Sequence, residues 1–280
     1  MSLFLQLVSN TLVTGIVVAL VNAYFKSREP YVELEAKRLD EHLREEARVH
    51  SEYLRPLGSA TRDLLGRLHQ LSGALGDGAR AEERQRAQRL RGIVQRLKDG
   101  KESESRERPE DYLSFCNGEG VDGVDALYVH ARYFALATKA RAVLPTIEWA
   151  LGHTCEDLRT ALVDAEAAFG GEFGIYETIQ RSIGEVMLNQ DGRAKEYAAF
   201  CELLAGKTTH QHFLKLFDFL VDVAPKLNYQ IAAAIAALPR VDASLTKLSD
   251  ERDLLTQQNR HPAASAAHHQ SWRRERGEKT

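Results

Sequence analysis

Residues 124–142 read VDALYVHARYFALATKARA, and the spacing of apolar side chains in this stretch indicates a helix. Apolar and small residues recur at intervals of three and four, as they do along one face of an α-helix. They are Val124, Leu127, Tyr128, Ala131, Phe134, Ala135, Thr138 and Ala142. The pattern ends ahead of Pro145, a residue that interrupts helices. We therefore predict a core helix here, with Phe134 near the middle of its buried face.

Further helical patterns follow this stretch toward the C-terminus. They cover residues 156–169, 175–188, 193–204, 212–223 and 227–238. Gly170-Gly171 and Asp191-Gly192 supply two of the turns between them. Phe217 lies in the middle of one apolar face, and strand signals are nearly absent. We predict an all-α fold, an antiparallel helical bundle that covers 56–248 with short loops.

The N-terminal side of this bundle starts with a leucine-rich helix that Pro56 opens. Its apolar face consists of Leu57, Leu64, Leu65, Leu68, Leu71 and Leu75. The segment near 76–110 is strongly charged and rich in arginine, so we predict a mobile segment there. Its middle, Leu90–Leu97, could form a short helix. If this basic segment folds back to a membrane, it could contact anionic lipid head groups.

Both flanks of the bundle are polar. The pattern of residues 27–55 predicts a charged helix with one narrow apolar stripe, which is typical of a stalk or a coiled-coil contact. Asp40 and Arg44 are spaced for a favourable pair on that helix. Residues 249–280 are mostly polar, and we predict a disordered tail there.

The N-terminus carries a long apolar run, LFLQLVSNTLVTGIVVALVNAYF, from Leu3 to Phe25, without a charged side chain. About 20 such residues in a helix cross a hydrocarbon core of roughly 30 Å. Lys26 and Arg28 follow the run and no basic residue precedes it, so the positive-inside rule places the N-terminus outside. A cleaved signal peptide would need a basic start and a small-residue cleavage site, and this run has neither. We predict a single-pass transmembrane anchor over residues 1–26 and a cytoplasmic C-terminal domain.

Polar side chains form a stripe along one side of the predicted span. Gln6, Asn10 and Thr14 are each one helical turn apart, and Ser9 lies beside them. Polar groups in lipid tend to face other helices, where they form hydrogen bonds. The stripe indicates self-association or a pore lining, and the alternative is that short polar residues near the outer interface are simply tolerated.

The net charge and the cysteines argue against nucleic-acid binding and against a disulfide-stabilised fold. The net charge is −3, so no overall positive field attracts nucleic acid. The three cysteines, Cys116, Cys155 and Cys201, are far apart and odd in number. Such a set does not fit a disulfide framework, and we expect three buried thiols in a reducing compartment.

Motifs for chemistry are incomplete in this sequence. Ala-Gly-Lys-Thr-Thr at 205–209 resembles the end of a phosphate-binding loop, but Cys201 stands where the first glycine is required. We read it as a helix stop at Gly206, followed by an N-cap at Thr208 or Thr209. His210 and His212 are expected to point to different sides of a helix, and no zinc-protease or di-iron motif occurs.

Tyr128, His130, Arg132 and Tyr133 form the densest remaining group of polar and aromatic residues. They do not converge on one helical face, so we expect core tyrosines beside a surface histidine and arginine. We predict no catalytic, cofactor or metal site and therefore no enzyme.

The favoured hypothesis is a membrane-tethered helical scaffold that binds a protein partner, or itself, at the cytoplasmic face. The alternative is an oligomerising membrane effector whose transmembrane helices form a pore on a signal. An enzyme with an unrecognised site in the bundle is a third hypothesis.

Overall fold

Helices account for nearly all of the chain that the computed structural model describes, which is residues 34–260 without 35–36, 39, 73–80, 103–115, 117, 119, 152–154, 172–173 and 222–224. No strand forms in this part of the chain, where Leu188 and Ala194 make one isolated antiparallel bridge. The predicted all-α class is therefore confirmed for the described residues. The chain divides into two compact units, Met1–Arg48 and Val49–Thr280.

The first unit contains a helical segment at residues 40–48. Arg44 donates to Asp40 at 2.7 Å, which confirms the predicted pair. Both side chains are exposed, so the pair stabilises this helix by only about 0.3–0.5 kcal/mol.

The second unit begins with a π-helical turn, His50–Leu54, and continues as a series of helices. They are α1 (Arg55–Ser72), α2 (Ala81–Glu102), α3 (Val121–Ala142), α4 (Leu144–Leu151), α5 (Glu156–Phe169), α6 (Glu177–Met187), α7 (Tyr197–Ala205), α8 (Lys207–His210), α9 (Leu214–Val221) and α10 (Pro225–Arg260), with a 3₁₀ turn at Gln211–Phe213. The bounds of α5 coincide with the prediction, and α3 ends before Pro145 as expected.

Helix α3 is the central element of this unit, and α1, α2 and α6 all pack against it. Phe134 on α3 and Phe217 on α9 are fully buried, which confirms the predicted core. Helix α6 approaches α3 closely at Gly184. A Cβ atom at that position would lie 2.8 Å from the Phe134 carbonyl oxygen. The absence of a side chain at Gly184 therefore allows the two backbones to meet.

Helix α2 corrects the prediction of a mobile charged segment near 76–110. Residues 81–102 are helical, while 76–80 and 103–110 lie outside the described residues. The buried side chains are Leu90, Ile93, Val94 and Leu97, a narrow stripe at helical spacing. These four side chains anchor α2 to the bundle, where α3 and α9 pack against α2. The prediction failed because the many arginines on the other faces dominated the composition.

Helix α10 corrects two further predictions. It continues through Pro239 instead of ending at Leu238, and it extends to Arg260 instead of giving way to a tail at 249. Buried residues on both sides of the proline, Leu238 and Val241, belong to the face that α1 and α5 cover. Packing along that face offsets the hydrogen bond that Pro239 cannot donate. Residues 261–280 lie outside the described residues.

The remaining architectural predictions concern the cysteines and the membrane anchor. Cys116, Cys155 and Cys201 form no disulfide with one another, and all three are buried, as predicted. Among the helices described within 34–260, none has the length and apolar character needed to cross a membrane. The predicted anchor at 1–26 lies outside the described residues.

Candidate functional site

A cavity of about 320 Å³ opens at the corner where α1, α2 and the first turn of α3 meet. Its lining consists of Arg67, Gln70, Arg86, Arg89, Leu90 and Asp122, and we call it the arginine pocket. Helix α1 contributes the first two residues, α2 the next three, and α3 the aspartate. Three elements that are separate in the sequence therefore place three guanidinium groups around one space.

Arg67 is the most rigidly held of these groups. Its Nη2 forms an ion pair with Asp125, and its Nη1 donates to Gln70 Oε1 at 2.9 Å. Burial lowers the pKa of Arg67, while the negative charge of Asp122 raises it. An arginine in a protein nevertheless stays protonated, so this guanidinium is a fixed positive charge in the wall of the pocket.

Arg86 and Arg89 form the opposite wall. They are three positions apart on α2, so they lie on the same face of that helix. Neither forms an ion pair or a side-chain hydrogen bond within the described residues. Both guanidinium groups therefore keep their donors available to a ligand.

Arg91 adds a buried positive charge beside the pocket. Its side chain is 6% exposed, and its Nη2 donates to the carbonyl oxygen of Leu71 at 3.4 Å. Burial lowers the pKa of Arg91, and no carboxylate pairs with it in the described part of the chain. The carbonyl at the end of α1 compensates this charge only in part, because a buried cation requires a full counter-charge.

The chemistry available to this pocket is recognition of an anion. Guanidinium groups donate in a planar fork that matches carboxylate and phosphate oxygens. Among the described residues, the lining contains no serine, cysteine, histidine or lysine that could act as a nucleophile, and Asp122 is its carboxylate. In the part of the chain that the structure describes, no three His, Cys, Asp or Glu side chains group as metal ligands would.

His130 corrects the expectation of a surface histidine. It is fully buried, and its Nδ1 lies 2.7 Å from the Ala126 carbonyl oxygen. Its Nε2 has no hydrogen-bond partner among the described residues, and the rings of Phe169 and Phe219 flank it. Burial lowers the pKa of His130 to about 4; the hydrogen bond to the Ala126 carbonyl opposes this shift, and the positive charge of Arg67 contributes to it. His130 is therefore a neutral core residue.

The other members of that sequence cluster separate. Tyr128 is half-buried and donates to the Lys195 carbonyl oxygen at 3.3 Å, while Arg132 pairs with Asp63 at 3.2 Å. Tyr133 is buried, which confirms one core tyrosine, and burial raises its pKa. The structure does not bring these groups together as an acid–base site.

Four charged residues form a network where α3, α5 and α6 meet. Arg141 pairs with Glu166, Arg181 pairs with Glu177, and each arginine lies 3.7 Å from the other's acid. Burial raises the pKa of Glu166, and the positive charge of Arg141 opposes that rise. Because every acid here faces an arginine, we assign the network to holding three helices together.

The His210 and His212 pair and the segment 205–209, which resembles the end of a phosphate-binding loop, have structural roles. Gly206 ends α7 as predicted, but it is also the N-cap of α8, so the N-cap prediction for Thr208 or Thr209 was wrong. The Thr209 hydroxyl donates instead to the Leu203 carbonyl oxygen at 2.5 Å. His210 is buried and His212 is exposed, which confirms their opposite directions.

Among the described residues of the second unit, three aromatic side chains are more than half exposed. Trp149 on α4 is 63% exposed, Tyr176 before α6 is 51%, and Tyr229 on α10 is 77%. Exposed aromatics of this size are the side chains that protein interfaces prefer. The predicted self-association residues Gln6, Asn10 and Thr14 lie outside the described residues.

The arginine pocket was not predicted, although part of its signal is in the sequence. Arg86 and Arg89 belong to the basic segment that the charge pattern identified. Arg67 and Gln70 stand on a different helix, and nothing local relates them to α2. Comparison with protein-family models, curated proteins and solved structures finds no match to this chain.

Proposed function

We propose that the chain is a membrane-tethered helical scaffold whose second unit binds a protein partner, or a second copy of itself, at the cytoplasmic face of a membrane. The observation that carries this proposal is the exposure of Trp149, Tyr176 and Tyr229. The core of the second unit already buries aromatic residues such as Phe134, Phe169 and Phe217, and the three exposed rings lie outside that core. Aromatic side chains lose little entropy on binding and bury a large area, which favours an interface role.

The tether is supported by the uncharged run from Leu3 to Phe25 and by Lys26 and Arg28 after it. A reporter fused after Thr280 is expected to behave as cytoplasmic, because positive charge lies only on that side of the run. Alkaline phosphatase is active only after export, so its activity at Thr280 would contradict this orientation.

The interface is tested with two aromatic substitutions in the full-length protein. Trp149→Ala and Tyr229→Ala together are expected to reduce the partner recovered by cross-linking in native membranes, or the mass of the protein in detergent if it binds itself. Hot-spot truncations cost about 2 kcal/mol or more each, and 1.4 kcal/mol corresponds to a tenfold loss of affinity.

Two controls separate loss of contact from loss of folding. Tyr229→Phe keeps the ring and should retain most of the binding, and far-ultraviolet circular dichroism should show unchanged helix content in every variant. If the double alanine variant recovers as much partner as the natural chain and keeps the same mass, these exposed aromatic residues do not carry the interaction.

The alternative function is an oligomerising effector whose spans form a pore. One observation favours it, the stripe of Gln6, Asn10 and Thr14 at one-turn spacing in the predicted span. Hydrogen bonds between such side chains in lipid contribute about 0.6 kcal/mol on average and at most about 2 kcal/mol. The stripe biases association and packing must contribute the remainder.

Substitution of all three stripe residues by leucine distinguishes the two functions. The variant keeps an apolar span and removes the polar groups. A pore-forming effector would lose its ring-like oligomer and any leakage of ions, whereas a scaffold would keep its location and its partner. Oligomers and leakage that persist in the leucine variant would exclude this pore mechanism.

A further inference from the structure

We propose that the arginine pocket binds a phosphate monoester group. The source of that group is either a soluble phosphate or the head group of an anionic lipid such as phosphatidic acid. The proposal is independent of the scaffold function, because the pocket and the exposed aromatics Trp149, Tyr176 and Tyr229 involve different residues.

Positive charge predominates around the cavity. The lining includes Arg67, Arg86 and Arg89, and Arg91 is buried directly after the lining residue Leu90. Two aspartates oppose these four arginines, Asp122 in the lining and Asp125 on Arg67. Four positive charges against two negative charges leave an excess of two.

This excess of positive charge has no counter-ion within the described residues. Arg86 and Arg89 have no acidic partner there, and Arg91 donates only to the Leu71 carbonyl oxygen. Leu71 follows Gln70 on α1, and Gln70 also lines the cavity. The buried cation therefore lies between α1 and α2, next to the pocket. Arg91 does not line the cavity, so an anion bound there would balance the charge of Arg91 through space and not by a hydrogen bond.

The charge and the size of the cavity favour one class of anion. A phosphate monoester carries about 1.5 to 2 negative charges near neutral pH, which matches the excess, whereas a carboxylate carries one. The volume of about 320 Å³ lies at the small end of ligand pockets, which range over roughly 300–1,000 Å³. None of the described lining residues is aromatic, so they offer no stacking surface to a nucleotide base.

The experiment uses full-length protein in nanodiscs and follows amide hydrogen exchange over residues 81–102. In one arm, inorganic phosphate is added to phosphatidylcholine nanodiscs and compared with chloride at equal ionic strength. In the other arm, phosphatidic acid replaces part of the phosphatidylcholine. Protection of 81–102 by phosphate supports a soluble ligand, and protection by phosphatidic acid alone supports a lipid head group. Protection in neither arm overturns the proposal.

Charge-matched variants make the assignment to this pocket specific. Arg86→Gln with Arg89→Gln is expected to lower affinity for the effective probe by at least about tenfold. Arg55→Gln with Arg193→Gln removes the same charge from exposed positions elsewhere and should bind as the natural chain does. Equal losses in the two double variants would show nonspecific attraction and overturn the proposal.

A third variant is expected to gain affinity. Asp122→Asn keeps the shape of the pocket and removes the carboxylate that the described lining contains, so phosphate should bind about fivefold to tenfold more tightly. Unchanged or weaker binding by Asp122→Asn would mean that the anion does not occupy this cavity. Circular dichroism of each variant confirms that the helices are retained.

Discussion

The burial of His130 predicts a specific loss of stability on acidification. Its Nδ1 lies 2.7 Å from the Ala126 carbonyl oxygen, which assigns the single proton of the neutral ring to Nδ1. A second proton on Nε2 would meet no acceptor within the described residues and would be enclosed by aromatic rings. The folded protein therefore resists protonation of this ring, whereas the unfolded chain accepts it freely.

The magnitude follows from the two pKa values. Burial lowers the folded-state pKa to about 4, against 6.5 for an ordinary histidine. Each pKa unit corresponds to about 1.4 kcal/mol, so the whole difference is on the order of 3 kcal/mol. Between these two values the unfolded state binds more protons than the folded state. The contribution of neutral, buried His130 to the free energy of unfolding is therefore fully present above pH 6.5. It decreases as the pH falls below 6.5 and is lost near pH 4.

The assay is urea unfolding of the full-length protein in detergent, followed by circular dichroism at about pH 7.5 and about pH 4.5. His130→Leu removes the titrating ring and should reduce the stability difference between the two pH values by roughly 2–3 kcal/mol relative to the natural chain. His69→Gln changes an exposed histidine on α1 and serves as the control. Equal pH dependence in the natural chain and in His130→Leu would refute the reasoning.

Four further substitutions, with Gly66→Ala as a control, test the packing of the second unit. Gly184→Ala places a Cβ 2.8 Å from the Phe134 carbonyl oxygen, so it should lower the free energy of unfolding by about 1–3 kcal/mol. A Cβ at Gly66 has no neighbour within 4 Å, so Gly66→Ala should be neutral or stabilising. Phe134→Ala and Phe217→Ala should each cost roughly 3–5 kcal/mol in urea unfolding, and changes within about half a kcal/mol would show that the core is misplaced. Leu97→Ala should lower the free energy of unfolding by about 2–5 kcal/mol because α2 belongs to the core. A neutral result would support the prediction of a mobile segment instead.

Local sequence patterns were sufficient for most helices. The periodicity of 124–142 and of 156–169 predicted α3 and α5, because a helix that faces a core repeats its apolar residues every three or four positions. Pro145 and Gly206 marked helix ends for reasons that act within one turn. The burial of Phe134 and Phe217 followed from the same periodicity.

Packing between distant segments decided the rest. Composition favoured a mobile segment at 81–102, but four buried side chains on one stripe hold α2 against α3 and α9. Pro239 is a helix breaker by its local chemistry, and α10 continues through it because α1 and α5 cover its apolar face on both sides. In both places a local preference worth a few kcal/mol at most yields to the burial of several apolar side chains.

The candidate site shows the same division. The sequence by itself determined that arginines accumulate on α2 and that an uncharged run precedes the helical units. Only the tertiary structure brought Arg67 opposite Arg86 and Arg89, and only it enclosed His130. A helix pattern specifies which face of a segment is buried but not which segment covers it, and the electrostatics of a site depend on that partner.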